Sequence, residues 1–228
     1  FLTHMNDMTE PVFWVFTAND VRRMHEAFFR AERCDAVIYV PLPNASQRAA
    51  LWTLYLKRAF PQQDRDGKPN PAWLPLAFDE TLAMYRKQKE DRKIDWLNRL
   101  TAVMLATPSD DREDLYARVT KADEAFAKKL RENVFDDNGW SPAEIKAAAR
   151  LSRVLKEPLY KVHRKIRPVS VSARGVIKRL EEWAKESALD AETGEIYSPP
   201  ATLTGVRRGE DSDEKAPRRK VRSLRDDK

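Results

Sequence analysis

The stretch that decides the fold is residues 13–43, which reads FWVFTAND at 13–20, FFRAERCD at 28–35 and AVIYVPLP at 36–43. Its two apolar runs are rich in β-branched and aromatic residues and predict a buried strand followed by a second apolar strand. The first run ends in Asn19 and Asp20, and Pro41 closes the second. Arg30 and Arg33 stand between the runs. An amide at a strand tip, followed by paired arginines, indicates chemistry that acts on a phosphate.

Each polar residue in this stretch has a chemical reason to be there. The amide of Asn19 both donates and accepts hydrogen bonds, so it can orient a water molecule without adding charge to a phosphate site. The guanidinium groups of Arg30 and Arg33 are planar and always charged, so they can neutralise charge that develops on a transferring phosphoryl group. In a simpler interpretation, Asn19 and Asp20 cap a helix that begins at Val21, and the arginines are ordinary surface charges.

The order of strand, asparagine, paired arginines and second strand resembles the second region of homology of AAA+ ATPases. In that family a strand ends in Thr-Asn or Ala-Asn, and a later Arg-x-x-Arg-Phe-Asp lies between subunits; here Cys34 takes the place of the Phe. The resemblance implies that Asn19 is the sensor 1 residue, which contacts the γ-phosphate or the attacking water. It also implies that Arg30 and Arg33 are arginine fingers for the neighbouring subunit, a role that contributes about 10³ to 10⁵ in rate.

Two parts of such a nucleotide site are missing from the sequence. No glycine is followed by Lys-Ser or Lys-Thr, as in a phosphate-binding loop, and no acidic strand end for Mg²⁺ is recognised. Asp79 and Glu80 are predicted to lie in the first turn of a helix, where the helix dipole favours acids. Because the chain begins at Phe1, we expect the upstream half of the ATPase core to lie outside it. The resemblance implies ATP and Mg²⁺ as cofactors, held mainly by residues absent from this chain, which alone should not hydrolyse ATP.

The middle of the chain reads as a series of amphipathic helices. Apolar residues at helical spacing predict a helix over 46–60, capped by Asn44 or Ser46, and three further helices over 78–106 and 111–133. The proline-rich residues between 61 and 75 predict a loop. In AAA+ proteins the first of these helices opens the lid, and far fewer residues separate it from the next conserved lid helix, the sensor 2 helix. Residues 61–133 are therefore interpreted as a helical insertion, which either docks a partner or substrate or thickens the lid.

The second informative motif is GWSPAEI at residues 139–145. Ser141 is the predicted N-cap of a helix, Pro142 its first residue and Glu144 the partner of Ser141 in a capping box. The motif also resembles the start of the sensor 2 helix of AAA+ lids, with Pro142 where the family has Gly. That resemblance implies that Ser141, Pro142 and Ala143 lie near the adenosine or phosphates, and that Lys146 is the candidate sensor 2 cation.

The C-terminal third is basic and then charged and Pro-rich. The run 160–167 is either a nucleic-acid contact or a solvated connector. A helix is predicted over 172–187, with an apolar stripe that we expect to pack on the lid. That stripe comprises Val176, Leu180, Trp183 and Ala184. The composition of residues 206–228 predicts disorder.

Composition narrows the function classes. The 228 residues carry 42 Lys and Arg against 36 Asp and Glu, a net charge of +6 at pH 7. No apolar stretch approaches the length of a bilayer span, so the sequence predicts a soluble, cytoplasmic protein without membrane contact. The single cysteine excludes an internal disulfide, and the isolated histidines predict no metal site.

Taken as a whole, the sequence predicts a mainly α chain that contains a truncated AAA+ α/β core with two strands. The core is assigned to 1–43, a helical lid with its insertion to 44–187, and a disordered charged tail to 188–228. By resemblance, the intact protein hydrolyses ATP in a homo-oligomeric ring and remodels a macromolecule of unknown identity. The alternative is a non-enzymatic helical protein that binds nucleic acid or an acidic partner through the basic run and tail.

Overall fold

The computed structural model describes residues 12–21, 24–25, 34–70, 77–87 and 93–199 of the chain. Arg30 and Arg33 lie outside the described residues, and so does the segment 206–228 that was predicted to be disordered. The description that follows applies to the described part of the chain.

The described structure is mainly helical and has two short strands. The helices are α1 (Ala45–Ala59), α2 (Phe78–Arg86), α3 (Lys93–Leu105), α4 (Arg112–Thr120), α5 (Glu124–Asn133), α6 (Pro142–Leu155), α7 (Leu159–Val162), α8 (Val169–Ser172) and α9 (Arg174–Ser187), and the strands are β1 (Ile38–Tyr39) and β2 (Leu189–Asp190). Single 3₁₀ turns at Ser109–Asp111 and His163–Lys165 precede α4 and follow α7. None of the described helices combines the length and apolar character that a bilayer span requires.

Helix α1 begins where local capping dictates. The Asn44 side chain accepts a hydrogen bond from the Gln47 backbone N–H at 2.9 Å, and the Gln47 side chain accepts one from the Asn44 N–H at 3.0 Å. This reciprocal pair satisfies two backbone donors that the first turn of a helix otherwise leaves unpaired. The helix predicted over 46–60 is confirmed to within a residue, and Asn44 rather than Ser46 is its cap.

The helices enclose two apolar clusters that meet at α3. The α1–α6 core contains buried side chains from both helices, among them Trp52, Leu56 and Ile145, together with Leu105 from α3. The α2–α5 core is built from the next four helices and contains Leu82, Tyr85, Leu100, Met104, Val119, Phe126 and Leu130. Burial of each such Leu contributes about 1.5–3 kcal/mol to folding. Because α3 supplies residues to both cores, the two packed regions are joined along one helix.

The segment 111–133 forms two helices, so that 78–133 holds four helices and not the predicted three. Asp123 separates α4 from α5 by accepting from the Phe126 N–H at 2.9 Å as the N-cap of α5. Its second oxygen accepts from the Tyr85 hydroxyl at 2.6 Å. Asp123 thus caps α5 and also holds α2, and both contacts favour a break in the helix at this residue. The apolar spacing continues across the break, so spacing alone predicts one continuous helix.

The run 13–17, predicted as a buried strand, is exposed and is not part of a strand. The Phe13 side chain is 92% exposed, and Trp14 stacks on Phe16 with ring centroids 6.0 Å apart. The strands of the described structure are β1 and β2, and neither of them includes this run. The prediction of a buried strand here is therefore wrong for this structure.

The second predicted strand is present only as the two residues of β1, with Ile38 exposed, and its partner lies near residue 189. β1 pairs with β2 in parallel, with Ile38 opposite Leu189 and Tyr39 opposite Asp190. The residues after β2 turn back, and Leu189 forms an antiparallel bridge with Ile196. Residues 189–196 thereby supply the partner strand of β1 and one bridge beyond it.

Helix α9 packs on this small sheet. From its apolar stripe, Ala184 is fully buried against Tyr197 and the β1 residue Tyr39, with Trp183 alongside. The rings of Tyr39 and Tyr197 meet edge to face at 4.6 Å, and burial raises the pKa of Tyr197 to about 12. The expectation that this stripe packs on the lid is thus corrected, because its one buried residue, Ala184, lies against Tyr39 and Tyr197.

Candidate functional site

The N-terminus of α6 is built as its sequence predicts. Ser141 has extended backbone angles, Pro142 is the first helical residue, and the Glu144 carboxylate accepts from the Ser141 N–H at 2.7 Å. Ile145, Ala148, Ala149 and Ser152 face the core. Burial of that stripe leaves the opposite side of the first turns in solvent.

The predicted nucleotide-contacting residues share that exposed side. Pro142, Ala143 and Lys146 are exposed, and Ser141 is half-buried. Pro142 and Lys146 are four residues apart, so they lie one above the other on the helix surface. The first turn therefore offers a small apolar surface with a cation one turn further along the helix.

Glu144 joins this helix end to a distant segment. While one carboxylate oxygen holds the Ser141 N–H, the other accepts from the backbone N–H of Val169, the first residue of α8. A carboxylate at a helix N-terminus is favoured by the helix dipole. The position of α8 is therefore coupled to the position of the α6 N-terminus through one side chain.

Gly139 permits the close approach of these two segments. It has a φ of +72°, and a Cβ built on it would lie 2.7 Å from both the Cβ and the Oγ of Ser170. A side chain at this position would therefore meet both a left-handed backbone and a steric clash. Gly139 and Glu144 together hold residues 169–170 against the loop that precedes α6.

A buried charge network lies beneath this loop, and sequence reasoning missed it. Asp137 is fully buried; its Oδ1 accepts from Arg112 Nη1 at 3.1 Å and its Oδ2 from Trp52 Nε1 at 2.9 Å. Arg48 Nε lies 3.7 Å from Asp137 Oδ2, and Arg48 Nη1 donates to the Pro43 carbonyl at 2.8 Å. The network connects the end of the β1 segment, α1, α4 and the loop before Gly139.

Aromatic rings pack beside the network. Phe135 contacts Trp52 at 5.9 Å and Trp140 at 5.1 Å between ring centroids, and His163 stacks on Phe135 at 4.2 Å. Burial, with the nearby Arg164, lowers the pKa of His163, whose Nδ1 is buried without a hydrogen-bond partner. His163 thus belongs to the packed structure around the α6 N-terminus.

The basic run 160–167 is partly packed against the protein and partly exposed. Val162 is fully buried and Ile166 packs on the α1–α6 core, whereas Lys161, Arg164 and Arg167 are exposed. Lys165 is paired with Glu157 at 2.6 Å. The apolar residues of the run anchor it, and its cations face solvent.

The other predicted site residues remain predictions. Asn19 is exposed in the segment 12–21, and Arg30 and Arg33 lie outside the described residues. The described residues therefore bring together Ser141, Pro142, Ala143 and Lys146, and leave the relation of Asn19 to the arginine pair as a prediction. No group of three or more Asp, Glu, His or Cys side chains within the described ranges is arranged to hold a metal ion.

Part of the chain is similar to a protein that carries an AAA domain. An uncharacterised AAA domain-containing protein of Pyropia yezoensis, ycf46, is 29% identical to this chain over 62 residues. The match covers 27% of this chain and 13% of that protein. No family model matches the chain, and no solved structure matches it. The similarity thus relates about a quarter of the chain to a protein with an AAA domain. Like the resemblance in the sequence, it suggests at most a relation to the AAA family.

Proposed function

We propose that this chain is the C-terminal part of an AAA+-type ATPase subunit and that the α6 N-terminus contacts the bound nucleotide. The observation that carries the proposal is the exposed first turn of α6, held rigidly by Glu144 and Gly139. The AAA-type order of residues at 13–43 and the partial similarity to an AAA domain-containing protein support it.

The charge at this helix end favours a particular part of the nucleotide. Glu144 already places a carboxylate at the N-terminus, where an anion would otherwise be attracted by the dipole and the N–H groups. A triphosphate at Ser141 would meet that carboxylate, whereas the uncharged nucleoside would meet the apolar surface of Pro142 and Ala143. We therefore assign the nucleoside to the first turn and the phosphates to the side of Lys146.

The remaining roles follow from the chemistry of each side chain. Asn19 would orient the attacking water, and Arg30 and Arg33 would stabilise charge on the phosphoryl group bound by a neighbouring subunit of a ring. Bound Mg²⁺ would neutralise phosphate charge. We assign no residue of this chain to Mg²⁺, and the remodelled macromolecule is not specified by these residues.

The decisive test is Arg30→Ala in the full-length assembly. We expect ATP turnover to fall by about 10³ or more while ATP binding is retained, because a finger acts on the transition state. Arg153→Ala, which removes an exposed arginine of α6, is the control and should leave turnover unchanged. An unchanged rate in the Arg30 variant, or ATP turnover by the 228-residue chain alone, would contradict the proposal.

A second candidate function rests on the exposed cations Lys161, Arg164 and Arg167. These side chains could contact the phosphates of a nucleic acid in a chain that performs no catalysis. Binding to DNA that weakens steeply with salt and survives deletion of residues 1–43 would favour this function. Loss of that binding on deletion of 1–43 would count against it.

A further inference from the structure

A groove between α2 and the end of α4 combines three cations with one carboxylate. Its volume is about 220 Å³. The lining residues are Asp79, Leu82, Ala83, Arg86, Arg118 and Lys121. Leu82 is only 4% exposed and forms an apolar floor, so the charged groups stand around the rim. The formal charge of the lining is +2, since three cations face one acid.

Arg118 is held in position before any ligand arrives. Its guanidinium lies 4.7 Å from the centre of the Phe78 ring, and its Nη2 is paired with Asp79 Oδ1. A guanidinium carries several N–H donors in a rigid plane, and the pair with Asp79 uses those of one nitrogen. The side chain is 40% exposed, so its other donors can meet a second anion.

Two further acids of the surrounding helices and loops, Asp123 and Glu113, are engaged in hydrogen bonds of their own. Asp123 accepts from the Tyr85 hydroxyl and the Phe126 N–H, and Glu113 forms two hydrogen bonds with Arg131 on the far side of α4. Within the described part of the chain, neither Arg86 nor Lys121 forms an ion pair. Their charge is thus available to a ligand in the groove.

We propose that this groove binds a single phosphoryl group, and the proposal is independent of the nucleotide site on α6. A phosphoryl dianion matches the charge of +2, and its oxygens suit a fixed guanidinium flanked by two flexible cations. A nucleic acid is disfavoured, because Glu80, Asp114 and Glu124 are exposed on the surrounding helices and would repel a longer polyanion. The group can belong to a phosphorylated side chain of a protein partner or to a small phosphate ester.

The test measures anion binding by the 228-residue chain at low salt, through the arginine side-chain N–H signals in NMR. The probes are inorganic phosphate, a phosphoserine peptide, the same peptide without phosphate and a single-stranded oligonucleotide. We expect saturable binding of phosphate and phosphopeptide, weakened up to about fivefold by Arg86→Gln. Asp79→Asn should strengthen binding by a similar factor, because it removes the competing carboxylate from Arg118.

The opposite signs of these two effects separate binding from misfolding, since a damaged fold would weaken binding in both variants. Arg153→Gln on α6 is the matched control and should leave binding unchanged. Tighter binding of the phosphopeptide than of phosphate identifies a protein-borne group, and equal binding shows that the phosphoryl group suffices. The proposal is overturned if neither probe saturates, if Arg153→Gln weakens binding as much as Arg86→Gln, if Asp79→Asn weakens it, or if the oligonucleotide binds more tightly than both.

Discussion

The α1–α6 core and the α2–α5 core differ in whether their ion pairs are buried or exposed to solvent. In the first, Asp137 is fully buried and holds Arg112 and the indole of Trp52. In the second, the ion pairs of Arg131 with Glu113 and of Arg118 with Asp79 lie at the surface, over a cluster of buried apolar side chains. Both regions are helical and packed around apolar side chains, and the first also encloses a buried network of charged groups.

The difference matters because burial changes how much one carboxylate contributes to the stability of the fold. In water, an exposed ion pair contributes little, since solvent screens the charges and two long side chains lose freedom. In the interior, losing one partner leaves the others charged, dry and unpaired, which is strongly destabilising. The network around Asp137 therefore fixes the loop before α6 in one position. The candidate site at the α6 N-terminus depends on that position, because it directly follows the loop.

The largest expected effect comes from breaking the buried network. Asp137→Ala should lower the free energy of unfolding by about 3–5 kcal/mol, because Arg112 and Arg48 would remain buried without their counter-charge. Urea unfolding followed by tryptophan fluorescence measures the loss. The matched control is Glu113→Ala in the other core, an exposed acid with two hydrogen bonds to Arg131, which should show no measurable loss. Equal losses in the two variants would refute the distinction between the cores.

A smaller effect is expected at Gly139. Gly139→Ala should cost about 2 kcal/mol, because the residue has a φ of +72° and its new Cβ would meet Ser170. Gly194→Ala is the matched control, since Gly194 has a φ of +71° and nothing within 4 Å of its Cβ position. It should show the backbone penalty alone. Adding Ser170→Gly to Gly139→Ala should recover the excess, as thermal unfolding of the four proteins would reveal; no recovery would mean that the contact is not the cause.

The smallest effect is a dependence of stability on pH. Burial, with Arg164, lowers the pKa of His163 below its ordinary value of 6.5, so the unfolded chain takes up the proton first as pH falls. Stability should therefore decrease as pH falls below about 6.5 and stop decreasing below the folded-state pKa.

The comparison with His163→Gln isolates this effect. Burial raises the pKa of the Glu181 carboxyl from 4.5, which gives a slope of opposite sign at lower pH in both proteins. The difference between the two unfolding curves should thus report His163 alone. An identical dependence on pH in the wild type and His163→Gln would rule out the buried imidazole as a source of it.

Local sequence signals were sufficient to predict a helix end where the capping residues pair with each other within the first turn. The helix starts at Asn44 and at Ser141 were predictable, because a cap residue and its partner three positions later pair within one turn. Further along α6, Ile145, Ala148 and Ala149 recur at helical spacing and are buried, whereas Leu155 is 43% exposed. Where a break depends on a contact with another helix, as at Asp123 with Tyr85, periodicity merged two helices into one.

The sequence by itself determined the helical character of this protein, the capped N-terminus of α6 and the order of residues that resembles an AAA+ ATPase, because each depends on neighbours within a few positions. Only the tertiary structure decided that Asp137 would be buried between two arginines, that Glu144 would hold Val169, and that β1 would pair with residues near 189. These contacts join residues far apart in the chain. Whether a polar group is buried and paired depends on which distant segments surround it, and no local pattern carries that information.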